Sequence, residues 1–192
     1  MKIRSQSKQR IVDVAFEHFV LSGFEGASLS AIAETVGIRK ASIYTHFKSK
    51  DALFLELLDD ALEIECKHLE YCFHSLEGKN LPGEAYLTEM KARYEYAMSY
   101  QFLTRIAYVP PNHLITQVTS AYQYYIEKII QFYQAELSQI TQDVKDQEIY
   151  TDAYLGILDS LSVELLYDGR MYQRRLHAML YLYQQSLQRI LK

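Results

Sequence analysis

The segment IRKASIYTHFKSK, at residues 38–50, combines cationic, hydroxyl and imidazole side chains within thirteen positions and contains no carboxylate. Arg and Lys form charge-assisted hydrogen bonds with phosphate, and Ser, Thr, Tyr and His can donate to phosphate oxygens or to base edges. These residue types therefore indicate a surface that binds a polyanion. The alternative interpretation is a charged surface that is only solvated.

The charge of the whole chain is divided unevenly. The first 50 residues contain eight Lys or Arg and four Asp or Glu, whereas the other residues contain twelve and twenty, which gives the chain its formal charge of −4. A basic head on an acidic body favours contact of the head with nucleic acid or with an anionic membrane surface. Asp13 and Glu17 interrupt the N-terminal apolar run, and no run reaches the roughly 18 apolar residues of a membrane span. We therefore expect a cytoplasmic protein without a membrane partner.

Apolar residues recur at spacings of three and four between Gly and Pro positions, which predicts an all-α fold. We expect Ser28 and Ser49 to be N-caps, because their side chains can accept a free backbone N–H, and we expect Gly23 and Gly37 to interrupt helices. The predicted helices cover residues 5–22, 29–36, 40–47, 50–76, 83–101, 102–109, 113–141, 147–167 and 171–191.

Two of these helices, 29–36 and 40–47, are joined by a short turn at Gly37 and so predict a helix-turn-helix. The second helix would be about 12 Å long, which suits a DNA major groove. Ile43 and Phe47 are four residues apart and should pack inward, so that the polar residues of the helix face outward. His46 stands beside Phe47, and both packing and DNA contact are open to it.

The sequence SLSAIAETVGIRKASIYTHFKSKDAL, residues 28–53, resembles the DNA-binding signature of the TetR family of transcriptional regulators, and the resemblance covers residues 8–58. It implies an N-terminal three-helix bundle with a helix-turn-helix at residues 1–50, and a C-terminal helical domain for effector binding and dimerisation at residues 51–192. The implied partners are double-stranded DNA, a small-molecule effector and a second copy of the chain, with no cofactor. The predicted DNA-binding residues are Ser28, Arg39, Lys40, Ser42, Tyr44, Thr45, His46 and Lys50, of which the resemblance makes Tyr44 and Lys50 phosphate contacts.

This sequence departs from the family pattern at two positions of the motif. Arg39 stands where the family often has a Ser N-cap, and Ala41 stands where a Gly is common. Because Arg39 has no side-chain oxygen with which to cap the helix, its guanidinium is free to reach phosphate or guanine.

Sixteen of the 17 tyrosines follow residue 50, and several fall on predicted apolar helix faces. Tyrosine has a large apolar ring and a polar hydroxyl, so such faces form either a filled core or the wall of a ligand pocket. By resemblance, this domain of the family often binds a small-molecule inducer. The predicted ligand-binding residues are His68, Tyr94, Met98, Arg105, Tyr122 and Tyr125.

Two cysteines raise the question of a metal site or a disulfide. His68 and Cys72 are four residues apart on one helix face and could be metal ligands or ordinary core residues. Cys66 and Cys72 are six residues apart in a predicted helix and cannot bridge each other. We predict no metal site. The sequence also lacks a phosphate-binding Gly loop and a nucleophile elbow, so we expect no enzyme.

The last two predicted helices are apolar along one face, and Gly156 and Ser160 would let another helix approach closely. Two such hairpins from two subunits form a four-helix bundle, which is where the resemblance places dimerisation. The overall prediction is a homodimeric repressor that senses a small hydrophobic or aromatic molecule. The alternative is a DNA-binding module or coactivator that a protein partner controls without any ligand.

Overall fold

The computed structural model describes residues 4–74 and 81–190, and within these ranges the chain is helical without any strand. The predicted all-α class is confirmed. The helices are α1 (Gln6–Gly26), α2 (Leu29–Val36), α3 (Lys40–Tyr44), α4 (Lys50–His74), α5 (Glu84–Tyr96), α6 (Met98–Tyr108), α7 (Ile115–Leu137), α8 (Val144–Tyr167) and α9 (Tyr172–Leu187), with a 3₁₀ turn at Asn112–Leu114 before α7.

The chain divides into two compact units. The first unit consists of Met1–Glu65 and Ala97–Gln123, and the second consists of Cys66–Tyr96 and Tyr124–Lys192. In the first unit α1 packs against α2 and α6, and α2 packs against α3. In the second unit α5, α8 and α9 pack against one another. The division of function at residue 50 stays a prediction, because the compact units have different bounds.

Local signals account for the helix ends around the helix-turn-helix. The hydroxyl of Ser28 accepts the N–H of Ala31 at 3.1 Å and caps α2. The hydroxyl of Ser49 accepts the N–H of Ala52 at 3.0 Å at the start of α4. Gly37 ends α2 with φ 78° and ψ 33°, a left-handed conformation that favours glycine.

Most predicted helices differ from the structure by a few residues at their ends, and two differ in ways that affect the candidate sites. The predicted helix 83–101 is wrong, because Ala97 adopts an extended conformation, with φ −114° and ψ 106°, and separates α5 from α6. The hydroxyl of Ser99, just inside α6, donates to the buried carboxylate of Glu65. The predicted helix 40–47 is also shorter, because the backbone turns after Tyr44 and the N–H groups of residues 46 and 47 both bond to the carbonyl of Ile43.

The core of the first unit is built around aromatic rings from three helices. The ring of Phe16 meets that of Phe102 edge to face at 5.5 Å, and the ring of Phe19 meets that of Phe54 in the same way at 5.3 Å. The rings of Phe54 and Phe102 are 5.1 Å apart. Such edge-to-face pairs add to the free energy gained by burying the rings, so α1, α4 and α6 form one packed support for the helix-turn-helix.

The second unit has a core of tyrosines whose hydroxyls are paired. The rings of Tyr133 and Tyr154 stack at 4.2 Å, and the Tyr133 hydroxyl bonds to that of Tyr183. The Tyr154 hydroxyl donates to the carbonyl of Gly83 at 3.0 Å. Gly83 has φ 72°, and a Cβ there would lie 2.3 Å from the Tyr154 ring, so this turn requires glycine. Paired hydroxyls let a tyrosine-rich core be buried without stranded polar groups.

Candidate nucleic-acid interface

The helix α3 presents two different faces. Ile43 is fully buried and Phe47 is 2% exposed, so the inward packing predicted for both residues agrees with the structure. Arg39, Lys40 and Tyr44 are exposed on the other side. Arg39 occupies the N-cap position without a side-chain hydrogen bond to the helix. The exposed face therefore offers two cations and a phenol to a partner.

The hydroxyl residues of the predicted interface are partly engaged in local structure. Thr45 is exposed, and its hydroxyl donates to the carbonyl of Ser42 at 2.7 Å. Ser42 is half-buried, whereas Ser28 is exposed and uses its oxygen as the α2 cap. Because a capping hydroxyl accepts a hydrogen bond, Ser28 keeps its own O–H for donation.

His46 is partly packed against the protein and partly exposed to solvent. It is half-buried, and its Nε2 lies 3.3 Å from the hydroxyl of Ser7 on α1. This contact ties the end of α3 to α1. The DNA-binding role of His46 stays a prediction.

Lys50 forms hydrogen bonds within the protein that the sequence did not predict. Its Nζ donates to the carbonyl of Phe24 at 2.8 Å and to that of Ala27 at 3.2 Å, and it lies 4.1 Å from the centroid of the Phe24 ring. An ammonium has three donors, so one donor is left after these two bonds. The predicted phosphate contact of Lys50 is therefore compatible with a structural role.

Two cationic side chains of α1 also contact the helix-turn-helix. Arg10 donates from Nη2 to the carbonyl of Val36 at 3.0 Å, at the end of α2. Lys8 lies 4.9 Å from the centroid of the Phe47 ring and 2.8 Å from the carboxylate of Glu56. The basic excess of the head therefore includes residues that hold the helix-turn-helix in place, in addition to those that α3 exposes.

The sequence of this region matches those of known proteins. Residues 11–57 match the family described as bacterial regulatory proteins, tetR family. Over 170 residues the chain is 27% identical to the HTH-type transcriptional regulator SrpR of Pseudomonas putida, an alignment that covers 85% of this chain and 75% of SrpR. Residues 11–57 therefore carry the DNA-binding domain of the TetR family of transcriptional regulators.

Two further likenesses are to the regulators IcaR and FadR. The chain is 31% identical over 96 residues to IcaR of Staphylococcus aureus strain Newman, the negative transcriptional regulator of the biofilm operon icaADBC, but covers only 43% of IcaR, and the match covers 50% of this chain. The structure of the regulator FadR from Bacillus subtilis in complex with stearoyl-CoA superimposes with a TM-score of 0.64 at 15% identity, covering 89% of this chain and 96% of FadR. At this identity the second likeness concerns the fold alone.

The six predicted ligand-binding residues do not fall in one compact unit of the chain. Met98, Arg105 and Tyr122 belong to the first unit, whereas His68, Tyr94 and Tyr125 belong to the second. Tyr94 and Met98, which the predicted helix 83–101 would place on one helix, lie on different helices because the chain breaks at Ala97.

Some of these residues have definite partners. In the first unit, Arg105 donates from Nη1 to the carbonyl of Val20 at 3.1 Å, near the kink that Gly23 makes in α1 with φ 69°. In the second unit, the buried Tyr125 bonds through its hydroxyl to that of Tyr86 at 2.9 Å. Tyr94 and Tyr122 are half-buried, and Met98 is 44% exposed. Ligand binding by all six residues stays a prediction.

The second unit contains an aromatic cavity that the sequence analysis did not single out. It has a volume of about 320 Å³ and is lined by residues of α4, of α7 and the segment that follows it, and of the turn before α5. The rings of Phe73 and Phe132 stack at 5.7 Å, the ring of His74 meets that of Phe132 edge to face at 5.1 Å, and the carboxylate of Glu136 also lines the cavity. Both phenylalanines lie on apolar faces, but periodicity alone does not distinguish a cavity wall from a filled core.

His68 and Cys72, the two residues considered as metal ligands, lie close together. The Nε2 of His68 lies 3.5 Å from the Sγ of Cys72, and neither Cys66 nor Cys72 forms a disulfide. Among the described residues no group of three or more His, Cys, Asp or Glu is arranged to hold a metal ion. Within the same residues, no helix combines the length and the apolar character needed to cross a membrane.

Proposed function

We propose that this protein is a homodimeric, ligand-responsive transcriptional repressor that binds a palindromic operator through α2 and α3. The observation that carries the proposal is the exposed face of α3, where Arg39, Lys40 and Tyr44 stand opposite the buried Ile43 and Phe47. Phosphate contacts of such residues give affinity and position the helix, and their contacts with base edges give specificity. A DNA target also makes the cytoplasm the proposed site of action.

Repression is proposed from the known relatives. IcaR is a negative regulator and resembles this chain over 96 residues. A repressor needs only to occupy its operator, and a helix-turn-helix dimer does so with two recognition helices that enter successive major grooves.

A stripe on α8 supports the homodimer. A row of residues recurs at helical spacing along the outer side of α8, and we call this row the α8 stripe. It consists of Ile149, Ala153, Gly156, Ser160, Val163 and Tyr167. Ile149 is 54% exposed and Tyr167 is 78% exposed within one protomer, whereas small residues occupy the centre of the stripe. Small residues let two helices approach closely, so a second copy of α8 suits this surface.

The aromatic cavity of the second unit supports an effector. A volume of about 320 Å³ lies in the range of small-molecule sites, and stacked rings suit a flat or apolar molecule. FadR, whose fold is similar, was crystallised with stearoyl-CoA, so an acyl-CoA is one effector class to test. An effector would release DNA only through a difference in its affinity for the two states of the dimer.

The first experiment selects bound sequences from a random duplex library with the full chain and then measures the salt dependence of the affinity. Lys40→Ala should reduce the slope of log K against log salt by about one, because one phosphate contact is lost. Lys67→Ala is the matched control, since Lys67 is an exposed lysine on α4 in the second unit, and it should leave the slope unchanged. Failure to enrich any duplex, or equal slopes for the two variants, would refute the proposed DNA-binding face.

A further inference from the structure

Residues 20–27, at the end of α1, form a corner that leads into α2, and we call them the α1–α2 corner. Gly23 breaks the regular helix there with φ 69° and ψ −179°, and Ala27 is extended. The last carbonyls of a helix have no donor within the helix, and this end favours a nearby cation. The last turn of α1 contains no basic residue. Any cation that stabilises this end therefore comes from another part of the chain.

Two cationic side chains from other helices donate to carbonyls of the α1–α2 corner. Lys50, at the start of α4, donates to the carbonyls of Phe24 and Ala27. Arg105, on α6, donates from Nη1 to the carbonyl of Val20 at 3.1 Å and spans 85 positions of the sequence. Because these donors are charged, their bonds are stronger than those between neutral groups.

Gly23 leaves the space that the guanidinium of Arg105 needs. A Cβ added at Gly23 would lie 3.3 Å from Nη2 and 3.5 Å from Nε of Arg105. The left-handed φ of 69° favours glycine for a second, independent reason. The residue that breaks α1 therefore also admits the guanidinium to the end of the helix.

The turn that follows α6 contacts the same corner. The ring of His113 meets that of Phe24 edge to face at 5.0 Å, and its Nε2 lies 3.2 Å from Oδ1 of Asp51 at the start of α4. Both α6 and this turn belong to Ala97–Gln123, which is part of the first unit. The match to the tetR family ends at residue 57. The α1–α2 corner is therefore held partly by a segment outside the matched residues.

We propose that Arg105 is a positioning residue for DNA binding, which fixes the α1–α2 corner and through it the helix-turn-helix. This inference rests on the proposed function. α2 begins directly after the Ser28 cap that follows the corner, α2 packs against α1, and α3 packs against α2. A change in the corner therefore shifts both helices of the motif. Arg105 acts through the backbone of Val20 and does not itself contact DNA.

The first experiment measures hydrogen–deuterium exchange in the full chain without DNA. Arg105→Met keeps an apolar stem but loses the donors, so the amides of α2 should exchange at least about fivefold faster, whereas those of α8 should not change. Arg105→Lys keeps a charged donor and should restore most of the protection. Lys67→Met removes the charge of an exposed lysine in the second unit and is the control.

Two results of this experiment would overturn the proposal. The first is equal exchange of the α2 amides in Arg105→Met and in the wild type. The second is faster exchange in α2 and α8 alike, which would show a general loss of stability. Should Arg105→Met fail to fold, Arg105→Gln takes its place, because the amide nitrogen of glutamine reaches only as far as Nε of arginine.

Gly23→Ala tests the same contact from the other side. In the wild type the new Cβ would press on the guanidinium and would also be strained at φ 69°. In Arg105→Met only the backbone strain remains, so Gly23→Ala should accelerate α2 exchange by a smaller factor there than in the wild type. Equal factors in the two backgrounds would refute a direct contact between residues 23 and 105.

The second experiment compares the duplex obtained by selection with a duplex of unrelated sequence. Arg105→Met should weaken binding of the selected duplex at least about fivefold, but it should leave the unrelated duplex and the salt slope unchanged, because no phosphate contact is lost. Arg105→Lys should recover most of the affinity. Lys67→Met should change neither affinity.

The outcomes separate this inference from the proposed function. Unchanged affinity of Arg105→Met for the selected duplex would refute the role of Arg105 in DNA binding. A salt slope reduced by about one would show that Arg105 contacts phosphate itself, and it would overturn the positioning role. A wild type that selects no duplex would refute the proposed function, and the exchange experiment would still decide whether Arg105 fixes α2.

Discussion

Lys50 and Phe24 are joined by two contacts at once. The ammonium of Lys50 donates to the Phe24 carbonyl at 2.8 Å and lies 4.1 Å from the centroid of the Phe24 ring. The start of α4 is thereby fastened to the end of α1, where the backbone turns toward α2. The position of the helix-turn-helix depends on this attachment as well as on its own apolar core.

Replacing Lys50 with Met should lower the free energy of unfolding of the DNA-free protein by about 1–2 kcal/mol. Met keeps the apolar stem but loses the charge-assisted hydrogen bonds and the cation–π contact. Chemical denaturation measures the loss, and Lys48→Met, at an exposed position, should cause almost none.

The same variant tests the proposed phosphate contact. If the remaining donor of Lys50 reaches DNA, Lys50→Met should reduce the salt slope of DNA binding by about one. A destabilised protein with an unchanged slope would contradict the phosphate contact and leave Lys50 as a structural residue.

Glu56 gives a prediction about acid stability. Burial acts to raise the pKa of Glu56, but hydrogen bonds from Lys8 and Arg4 outweigh it and hold the pKa below its ordinary value. A carboxyl with a lowered pKa stabilises the fold above its ordinary pKa of about 4.5, and this stability is lost as the pH falls through the lower folded value.

Glu56→Gln should therefore cost about 1–2 kcal/mol near pH 7, and the difference from the wild type should shrink below about pH 4. Denaturation curves at several pH values measure it. Glu34→Gln, at an exposed position on α2, is the control. A difference that stays constant down to pH 3 would show that the ion pair does not contribute.

The paired tyrosines of the second unit give a prediction about alkaline stability. Burial raises the pKa of both Tyr133 and Tyr183 far above the ordinary value of 10. A group with a raised pKa contributes its full stability below the ordinary value and loses it as the pH rises toward the folded value. The free energy of unfolding should therefore fall above about pH 10.

Phe substitutions separate this effect from general alkaline unfolding. Tyr133→Phe should cost about 1–2 kcal/mol near pH 7, because the buried Tyr183 hydroxyl loses its partner. The double variant with Tyr183→Phe should cost less than the sum of the single changes and should lose less stability than the wild type above pH 10. Additive losses in denaturation experiments would contradict the pairing.

The parts of the fold that could be predicted from the sequence are those with local causes. Ser28, Ser49 and Gly37 mark helix ends because each acts on backbone groups within a few residues. The break at Ala97 has no such signal, since no Gly or Pro stands there. It accompanies a hydrogen bond from Ser99 to Glu65, which lies 34 residues earlier in the chain.

In the candidate sites too, features with local causes were predictable from the sequence and features that depend on distant residues were not. The inward packing of Ile43 and Phe47 follows from their spacing of four residues, although only Ile43 lies within α3. A prediction of ligand-binding residues depends on which helices pack against one another. The periodicity of apolar residues does not give that packing. Tyr125 shows the difficulty, because its hydroxyl is paired with that of Tyr86, 39 residues away.

The dimer prediction rests on Gly156 at the centre of the α8 stripe. A Cβ added at Gly156 would meet nothing within 4 Å in its own protomer. Gly156→Leu therefore should not overpack the protomer, and the removal of a glycine from a helix interior favours the helix by up to about 1 kcal/mol. A loss of association would then have to come from contact with the second copy.

Sedimentation equilibrium should show a wild-type dimer at micromolar concentration and a dissociation constant at least about tenfold higher for Gly156→Leu, because the leucine side chains prevent two α8 helices from approaching closely. Glu127→Leu adds the same side chain at an exposed position of α7 and should leave association unchanged. Circular dichroism should give equal helical content for all three proteins. A wild-type monomer, or a Gly156→Leu variant that associates like the wild type, would refute the α8 stripe as the dimer surface. Since a monomer presents only one recognition helix, the same variant should also bind operator DNA more weakly at low protein concentration, although residue 156 lies outside the DNA-binding unit.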